Sequence, residues 1–222
     1  MLLLTYVNKT GKILTNVKRG FLMTTNNSTD LDLFFFTLEK FAGRPCPDKE
    51  KAIWSRILKQ KNIAKKESLI HVGEIPTEFY FIVRGLTRQY YIDASGNEVT
   101  RGFAAEHEFV CTEVLIQGNS SLFNIEALED CRMLVFRLAE LDELRDSDFM
   151  KDVYIGALEK NVKKRLIRDS VFLMNDARGR YEKFVEGDPE LVERLKKSDI
   201  ASYLGMTAES LSRIRRAIKE NN

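Results

Sequence analysis

The stretch Lys197–Ile218, KSDIASYLGMTAESLSRIRRAI, has the pattern of two short helices joined by a tight turn. We expect the first helix over Asp199–Leu204 with Ser198 as its N-cap, because a serine hydroxyl can accept an otherwise unbonded backbone N–H. Gly205 follows at the position where a left-handed residue ends a helix. Thr207 then stands where the N-cap of the second helix is expected.

The apolar residues of this stretch recur at three- and four-residue spacing, which places them on one inward-facing side. They are Ile200, Leu204, Leu211, Ile214 and Ile218. Ala201 lies four residues before Gly205, where a larger side chain would keep the two helices apart. This spacing of alanine, glycine and aliphatic residues is typical of a helix-turn-helix.

The opposite side of the second helix, Ala208–Glu220, carries hydrogen-bond donors and acceptors suited to the edges of nucleobases. Together with hydroxyls near the two helix starts, these residues form the predicted DNA-binding set: Ser198, Thr207, Glu209, Ser210, Ser212, Arg213 and Arg216. The alternative is an ordinary helical hairpin with a solvated charged face. We favour DNA binding because the turn, the small alanine and the basic helix occur together.

Composition bounds the rest of the chain. Its 222 residues suffice for one large or two modest domains, and 44% hydrophobic with 31% charged residues describes an ordinary soluble protein. The formal net charge is only +2, so affinity for DNA must come from local placement of basic side chains. No apolar run approaches the roughly 20 residues that span a bilayer. We therefore expect a cytoplasmic protein with no membrane partner.

Two helices and a set of short strands are predicted upstream. Residues 1–30 read as an N-terminal extension or linker, with a hairpin of LLLTYV and KILTNV at its start. The pattern from Leu31 to about Leu58 is helical and breaks at the segment Gly43–Pro47. The residues expected to be buried there are Leu33, Phe36, Phe41, Ile53, Trp54 and Ile57.

From Asn62 to about Leu138 the chain shows short apolar runs with turn residues between them. These runs are SLIHV, FYFIV, TRQYYI, EVTRGF, FNIEAL and CRMLVF, and Ala94–Asn97 has the composition of a hairpin turn. Several short strands at close spacing predict an antiparallel roll or sandwich.

A long helix is expected over Leu138–Asn175, followed by a hinge at Asn175–Arg180. An apolar stripe close to coiled-coil spacing runs along this helix. Its members are the predicted dimer-interface residues Ile155, Leu158, Val162, Leu166 and Leu173. The alternative is that the stripe packs against its own domain, and we favour the dimer.

The segment Leu69–Gly85, LIHVGEIPTEFYFIVRG, resembles the β-roll of cyclic-nucleotide-binding domains, in which glycines fix the corners of the roll. A roll, a long helix and a C-terminal helix-turn-helix, in that order over about residues 31–220, resemble the CRP/FNR family of bacterial transcription factors. The expected fold class is therefore α+β, with a jelly-roll-like antiparallel sensor roll. The expected domains are 1–30 extension, 31–138 roll with leading helices, 139–175 dimerisation helix and 176–222 helix-turn-helix.

The resemblance implies a cytoplasmic homodimer that docks two recognition helices in successive major grooves of double-stranded DNA. It places the Glu and Arg of the family's reading helix on Glu209 and Arg213, which suit cytosine N4 and guanine O6/N7. Ala208 departs from the basic residue that is frequent in the family, so the target sequence is expected to differ. RNA polymerase and an unidentified small-molecule effector are further candidate partners.

The effector side departs further from the family. Its cyclic-nucleotide cassette has a Gly-Glu pair and then an arginine for the phosphate, whereas here no glycine precedes Glu113 and the arginine position reads Ser120-Ser121. A phosphate buried against serines would lack a compensating cation. We therefore expect no useful affinity for cyclic AMP. Five polar residues form a candidate pocket for a different ligand, or else a polar loop without one: Thr112, Glu113, Ser120, Ser121 and Asn124.

Other functional classes fit the sequence less well. A cupin-like enzyme needs an H-x-H pair with further ligands, and His71 and His107 are far apart. An iron–sulfur sensor needs four thiolates, and the cysteines are Cys46, Cys111 and Cys131. A haem on a lone histidine and an oxidation sensor at Cys111 are weaker alternatives than a structural role. We expect no enzyme, cofactor or metal; the alternative function is a ligand-binding or protein-interaction module with a degenerate helix-turn-helix.

Overall fold

The computed structural model describes residues 6–7, 13–14, 29–110 and 120–220. Near the N-terminus, strand β1 (Tyr6–Val7) pairs antiparallel with β2 (Ile13–Leu14), with Tyr6 opposite Leu14. These two strands lie where the sequence predicts an N-terminal hairpin. The remainder of that prediction lies outside the described residues.

Two helices precede the roll, α1 (Asp30–Ala42) and α2 (Asp48–Ile57), and they are separated at the predicted break. Thr29 caps α1, since its hydroxyl accepts the Asp32 N–H at 3.1 Å. One expected core residue is wrong: Phe36 is 49% exposed, whereas Phe34 is fully buried. Three consecutive phenylalanines point about 100° apart on a helix, so a single core contacts only one of them fully.

The strands form two antiparallel four-stranded sheets, as expected for a roll. One sheet has the order β3-β10-β5-β8 and the other β4-β9-β6-β7. The strands are β3 (Lys59–Ile63), β4 (Ser68–Ile70), β5 (Glu78–Arg84), β6 (Thr87–Ile92), β7 (Glu98–Ala104), β8 (Phe109–Val110), β9 (Asn124–Ala127) and β10 (Cys131–Arg137). Most of strand β3, KQKNI, was missed because four of its five residues are exposed and polar.

The core of the roll is aromatic and continues into the leading helices. Phe34 packs edge-to-face on Trp54 and on Phe81, with ring centroids 4.9 Å and 5.3 Å apart. A glycine is required at position 85, where φ is +121° and an added Cβ would lie 2.9 Å from the Cα of Cys131. The roll and the two helices therefore form one hydrophobic unit.

The long helix α3 covers Asp148–Met174 and is preceded by a separate 3₁₀ segment, Leu138–Leu144. The prediction of one continuous helix from Leu138 is therefore wrong. The break has a local cause, because Ser147 is an N-cap whose hydroxyl accepts the Met150 N–H at 3.4 Å. Helix α3 crosses α1 closely at Gly156, where an added Cβ would lie 2.9 Å from the carbonyl carbon of Phe41.

Four helices follow: α4 (Ala177–Gly187), α5 (Pro189–Arg194), α6 (Lys197–Tyr203) and α7 (Ala208–Glu220). The predicted hinge is shorter than expected, because Asp176 already caps α4 by accepting the Gly179 N–H at 2.8 Å. The expected fold class, α+β with an antiparallel roll and a C-terminal helical region, is confirmed. The boundaries at 30, 138 and 175 stay predictions.

Candidate DNA-binding face and effector cavity

The turn between α6 and α7 has the geometry that the sequence predicts. Gly205 adopts φ +65°, and an added Cβ there would lie 3.2 Å from the Phe172 ring. The Thr207 hydroxyl accepts the Ser210 N–H at 3.1 Å, which makes Thr207 the N-cap of α7. Ser198 as N-cap of the first helix is wrong, since α6 begins at Lys197 and has no side-chain cap.

The two helices bury the predicted apolar side against each other and against the roll. Ile200 and Leu211 are fully buried and Leu204 is nearly so, while Ile214 and Ile218 pack against the same cluster with part of their surface exposed. The helix-turn-helix therefore shares one hydrophobic cluster with the roll. The opposite side of α7 is left for contacts outside the chain.

That opposite side is polar and exposed, and we call it the reading face: Glu209, Ser212, Arg213 and Arg216. The pKa of Glu209 is held below its ordinary value because its own backbone N–H and the Thr207 hydroxyl bond the carboxylate, with Arg213 nearby. Glu209 is therefore an ionised acceptor at neutral pH. Arg213 reaches back to the Ser210 hydroxyl with its Nη2 at 3.4 Å.

The remaining residues of the predicted DNA-binding set lie beside the reading face. Ser210 is half-buried, and its hydroxyl accepts from Thr207 at 3.1 Å, so both hydroxyls lie at the start of α7. Ser198 is exposed in the first turn of α6, with its hydroxyl 3.4 Å from Asp199 Oδ1. All members of the set except Ser210 are thus exposed.

A cavity of about 450 Å³ lies between the roll, α3 and the C-terminal helices. Its lining includes Gln89 and Arg101 of the roll, Arg168 of α3, and Phe184 and Tyr203 of the C-terminal helices. All three parts of the chain therefore meet around one space. A ligand in this space would contact each part.

The candidate effector pocket overlaps this cavity in part. Ser120 and Ser121 line it, but the Ser121 hydroxyl already donates to the Phe123 carbonyl at 2.7 Å. Asn124 is buried in β9 and accepts the Val72 N–H at 3.0 Å with its side-chain oxygen. Thr112 and Glu113 lie outside the described residues. The five-residue pocket stays a prediction.

Arg101 is a cavity residue that the sequence reasoning missed. Its Nη1 donates to the side-chain oxygen of Gln89, and its guanidinium lies 4.4 Å from the centroid of the Phe123 ring. A cation thus lines the cavity, although not at the position of the family's phosphate arginine. Arg101 is the extra residue of a bulge in β7, because Gln89 pairs with Gly102 and Tyr90 with Thr100. Gly102, a glycine inside a strand, is the local sequence signal that could have indicated this bulge.

The predicted dimer stripe is exposed on α3. The exposed fractions are 53% for Ile155, 54% for Val162, 63% for Leu166 and 85% for Leu173, and Leu158 is half-buried. In the single chain the stripe is largely uncovered by its own domain, and the dimer interface stays a prediction. Four large apolar side chains in a row on one helix face are unusual for a surface that stays in water.

The thiols and histidines show no arrangement for redox or metal chemistry in the part of the chain that the structure describes. Burial raises the pKa of Cys46 to about 11, and it also raises the pKa of Cys131. Burial lowers the pKa of His107 below its usual range. Over 29–110 and 120–220, no three His, Cys, Asp or Glu side chains come together as a metal site. Cys111 lies outside these ranges.

Comparison with known proteins identifies the domain first. Residues 60–148 match the family model described as "Cyclic nucleotide-binding domain". The chain is 25% identical over 174 residues to the fumarate and nitrate reduction regulatory protein of Escherichia coli, covering 71% of this chain and 68% of that one. It is 23% identical over 193 residues to the transcriptional regulatory protein btr of Bordetella pertussis, covering 78% and 75%.

Solved structures show the same fold. FixK2 from Bradyrhizobium japonicum superposes with a TM-score of 0.65 at 19% identity, covering 74% of this chain and 86% of that one. A CRP/FNR-family regulator from Eubacterium rectale gives 0.64 at 14% identity, covering 79% and 85%. The chain thus carries a cyclic-nucleotide-binding domain. It is homologous to the fumarate and nitrate reduction regulators and similar in fold to CRP/FNR-family regulators, the resemblance that its sequence predicts.

Proposed function

We propose that this protein is a sequence-specific DNA-binding transcriptional regulator of the CRP/FNR type, and not an enzyme. The observation that carries the proposal is the reading face of α7, which presents Glu209, Arg213 and Arg216 to solvent behind an N-cap at Thr207. Arginine and ionised glutamate at this spacing suit guanine and cytosine edges in a major groove. Both homologues above are named as regulators, which agrees with this role.

The regulator acts as a homodimer joined through α3. The exposed stripe of Ile155, Val162 and Leu166 supports this, because a second copy would remove it from water. Two paired chains also present two reading faces, as a two-fold symmetric operator requires. Over the described ranges the structure has no helix that is long and apolar enough to span a bilayer. A cytoplasmic location is part of the proposal, with RNA polymerase as a further partner.

Replacing Arg213 by Ala is expected to relax base choice at one position of each half-site. The free energy that discriminates guanine from other bases at that position should fall by about 1–3 kcal/mol, because one bidentate contact to guanine is removed. The measurement is in-vitro selection of bound duplexes followed by titration of single-base operator variants. If Arg213→Ala instead weakens binding equally for every DNA sequence, Arg213 contacts a phosphate and not a base.

The matched control is Arg178→Ala on α4. Arg178 is exposed and pairs with Glu182 within its own helix, so its loss removes the same charge away from the reading face. We expect its selected motif to equal that of the wild type.

A protein that binds DNA through its phosphates should also lose affinity for DNA steeply as the salt concentration rises, because binding releases counterions. A flat salt dependence would favour the alternative function, a protein-interaction module.

The regulator does not respond to cyclic AMP. In the described part of the phosphate region, Ser120 and Ser121 stand where the family has its arginine, and Ser121 already bonds to Phe123. Arg101 additionally stacks on the Phe123 ring in the cavity, which occupies that face of the ring. Isothermal titration calorimetry with cyclic AMP should show no binding in the micromolar range, and a micromolar dissociation constant would overturn this part of the proposal.

A further inference from the structure

The free edge of strand β7 is covered by residues from outside the roll. In the described sheet β7 pairs only with β6, so its other side would expose unpaired backbone groups. The Ser202 hydroxyl of α6 accepts the Thr100 N–H at 2.8 Å and lies 3.2 Å from the Glu98 carbonyl, to which it donates. The helix-turn-helix thus takes the place of a neighbouring strand.

The long helix binds the same edge further along. Arg168 Nη1 donates to the Arg101 carbonyl at 2.7 Å, and its Nη2 lies 3.4 Å from the Tyr203 carbonyl at the end of α6. The guanidinium also stacks 4.7 Å from the centroid of the Tyr203 ring. Arg168 therefore joins the roll, α3 and the helix-turn-helix at a single point.

A second anchor holds the C-terminal helices to another part of the roll. Arg194 of α5 bonds to both carboxylate oxygens of Glu106, at 2.8 Å and 3.0 Å. It also bonds to both oxygens of Glu129, at 3.0 Å and 2.6 Å. These bonds raise the pKa of Arg194, and planar fork pairs of this kind fix orientation as well as distance.

Apolar burial completes this contact. Leu86 and Phe103 of the roll lie in one buried cluster with Tyr181, Ile200 and Leu211 of the C-terminal helices. A contact with a buried apolar centre and two polar anchors resembles a stable interface more than a passing encounter.

We propose that Ser202 and Arg194 are positioning residues, which hold each helix-turn-helix in one orientation on its own roll and so set the separation of the two reading faces. The part that concerns operator spacing rests on the proposed function. Neither residue lies on the reading face. Their loss should therefore alter how two half-sites are spaced without altering how one half-site is read.

The first test is hydrogen exchange of the Thr100 amide in the full-length protein without DNA. We expect Ser202→Ala and Arg194→Gln each to accelerate this exchange by about tenfold or more, because local opening exposes the β7 edge. Arg194 bonds to Glu106 and Glu129, so an effect of its loss on Thr100 reports release of the whole contact. Unchanged exchange in Arg194→Gln would overturn the proposal.

Matched controls are Ser95→Ala in the β6–β7 turn and Arg178→Gln on α4. Both residues are exposed and lie outside the contact, and the exchange of Thr100 should stay within about twofold of the wild type. Thermal melting of each variant separates release of the contact from general unfolding. If Arg194→Gln fails to fold, Ser202→Ala carries the test, and wild-type exchange of Thr100 in that variant would overturn the proposal.

The second test compares operators whose half-sites are moved apart by one or two base pairs. The wild type should prefer one spacing, and Ser202→Ala and Arg194→Gln should reduce that preference by about tenfold while keeping the wild-type affinity for a single half-site. An unchanged spacing preference would overturn the positioning role. If the wild-type protein binds no DNA at all, the proposed function is refuted. The hydrogen-exchange result would still show whether Ser202 and Arg194 hold the helix-turn-helix on the roll.

Discussion

Replacing Val162 and Leu166 together by Glu is expected to convert the proposed dimer into a monomer and to lower operator affinity by about 10²–10⁴-fold. Both side chains are more than half exposed in the single chain. Four like charges would face each other across a paired helix, and the apolar surface that drives pairing would be lost. Each reading face would then bind its half-site alone.

Sedimentation equilibrium and operator titration measure the two effects independently. The control is the double change of Val72 and Ile75 to Glu, which places the same charges on exposed apolar residues of the β4–β5 loop. That variant should remain dimeric. A Val162/Leu166 variant that also remains dimeric would remove this face of α3 from the interface.

Replacing Arg88 by Met is expected to lower the free energy of unfolding by about 3–5 kcal/mol, because a buried cation is removed from its partners. The Arg88 side chain is only 6% exposed, and its Nη1 lies 2.6 Å from Glu98, 3.2 Å from Glu126 and 3.9 Å from Asp199. Methionine fills similar space but leaves three carboxylates close together. Carboxylates that share one cation repel each other once that cation is removed, and more strongly in a partly buried setting than in water.

Urea unfolding of the full chain provides the measurement, with Arg178→Met as the control. Arg178 makes a single exposed pair with Glu182, and such pairs contribute about 0–1 kcal/mol. A loss below about 1 kcal/mol for Arg88→Met would show that the three carboxylates are hydrated or protonated in the variant, contrary to this account of the cluster.

Local signals predicted the elements that depend on local chemistry. The Ala94–Asn97 turn is formed as expected, with Gly96 at φ +83°. The six apolar runs became strands because each alternates or stays apolar over a length that suits a sheet. The reading face of α7 was also accessible to prediction, since a helix of known start fixes which residues share a side.

Contacts between distant segments could not be predicted. Strand β3 is paired by β10, about 70 residues later, and its own polar sequence gives no strand signal. Nothing in the local sequence marks Arg88 or Arg194, because the fold alone brings Glu98 to Arg88 and Glu106 and Glu129 to Arg194. The cavity could not be predicted either, because its lining residues come from three separate segments of the chain.

The close crossing at Gly156 fixes α3 against α1 about a third of the way along the helix. Helix α1 presses against α3 at this residue, and about 27 Å of helix extends beyond it to Met174, at 1.5 Å per residue. A tilt of about 5° at this crossing therefore displaces the far end by about 2 Å, more than half of the 3.4 Å rise between neighbouring bases. Because Arg168 binds the same half of α3 to the β7 edge, such a tilt has to open that contact, which would couple the roll to the half-site spacing of the proposed regulator.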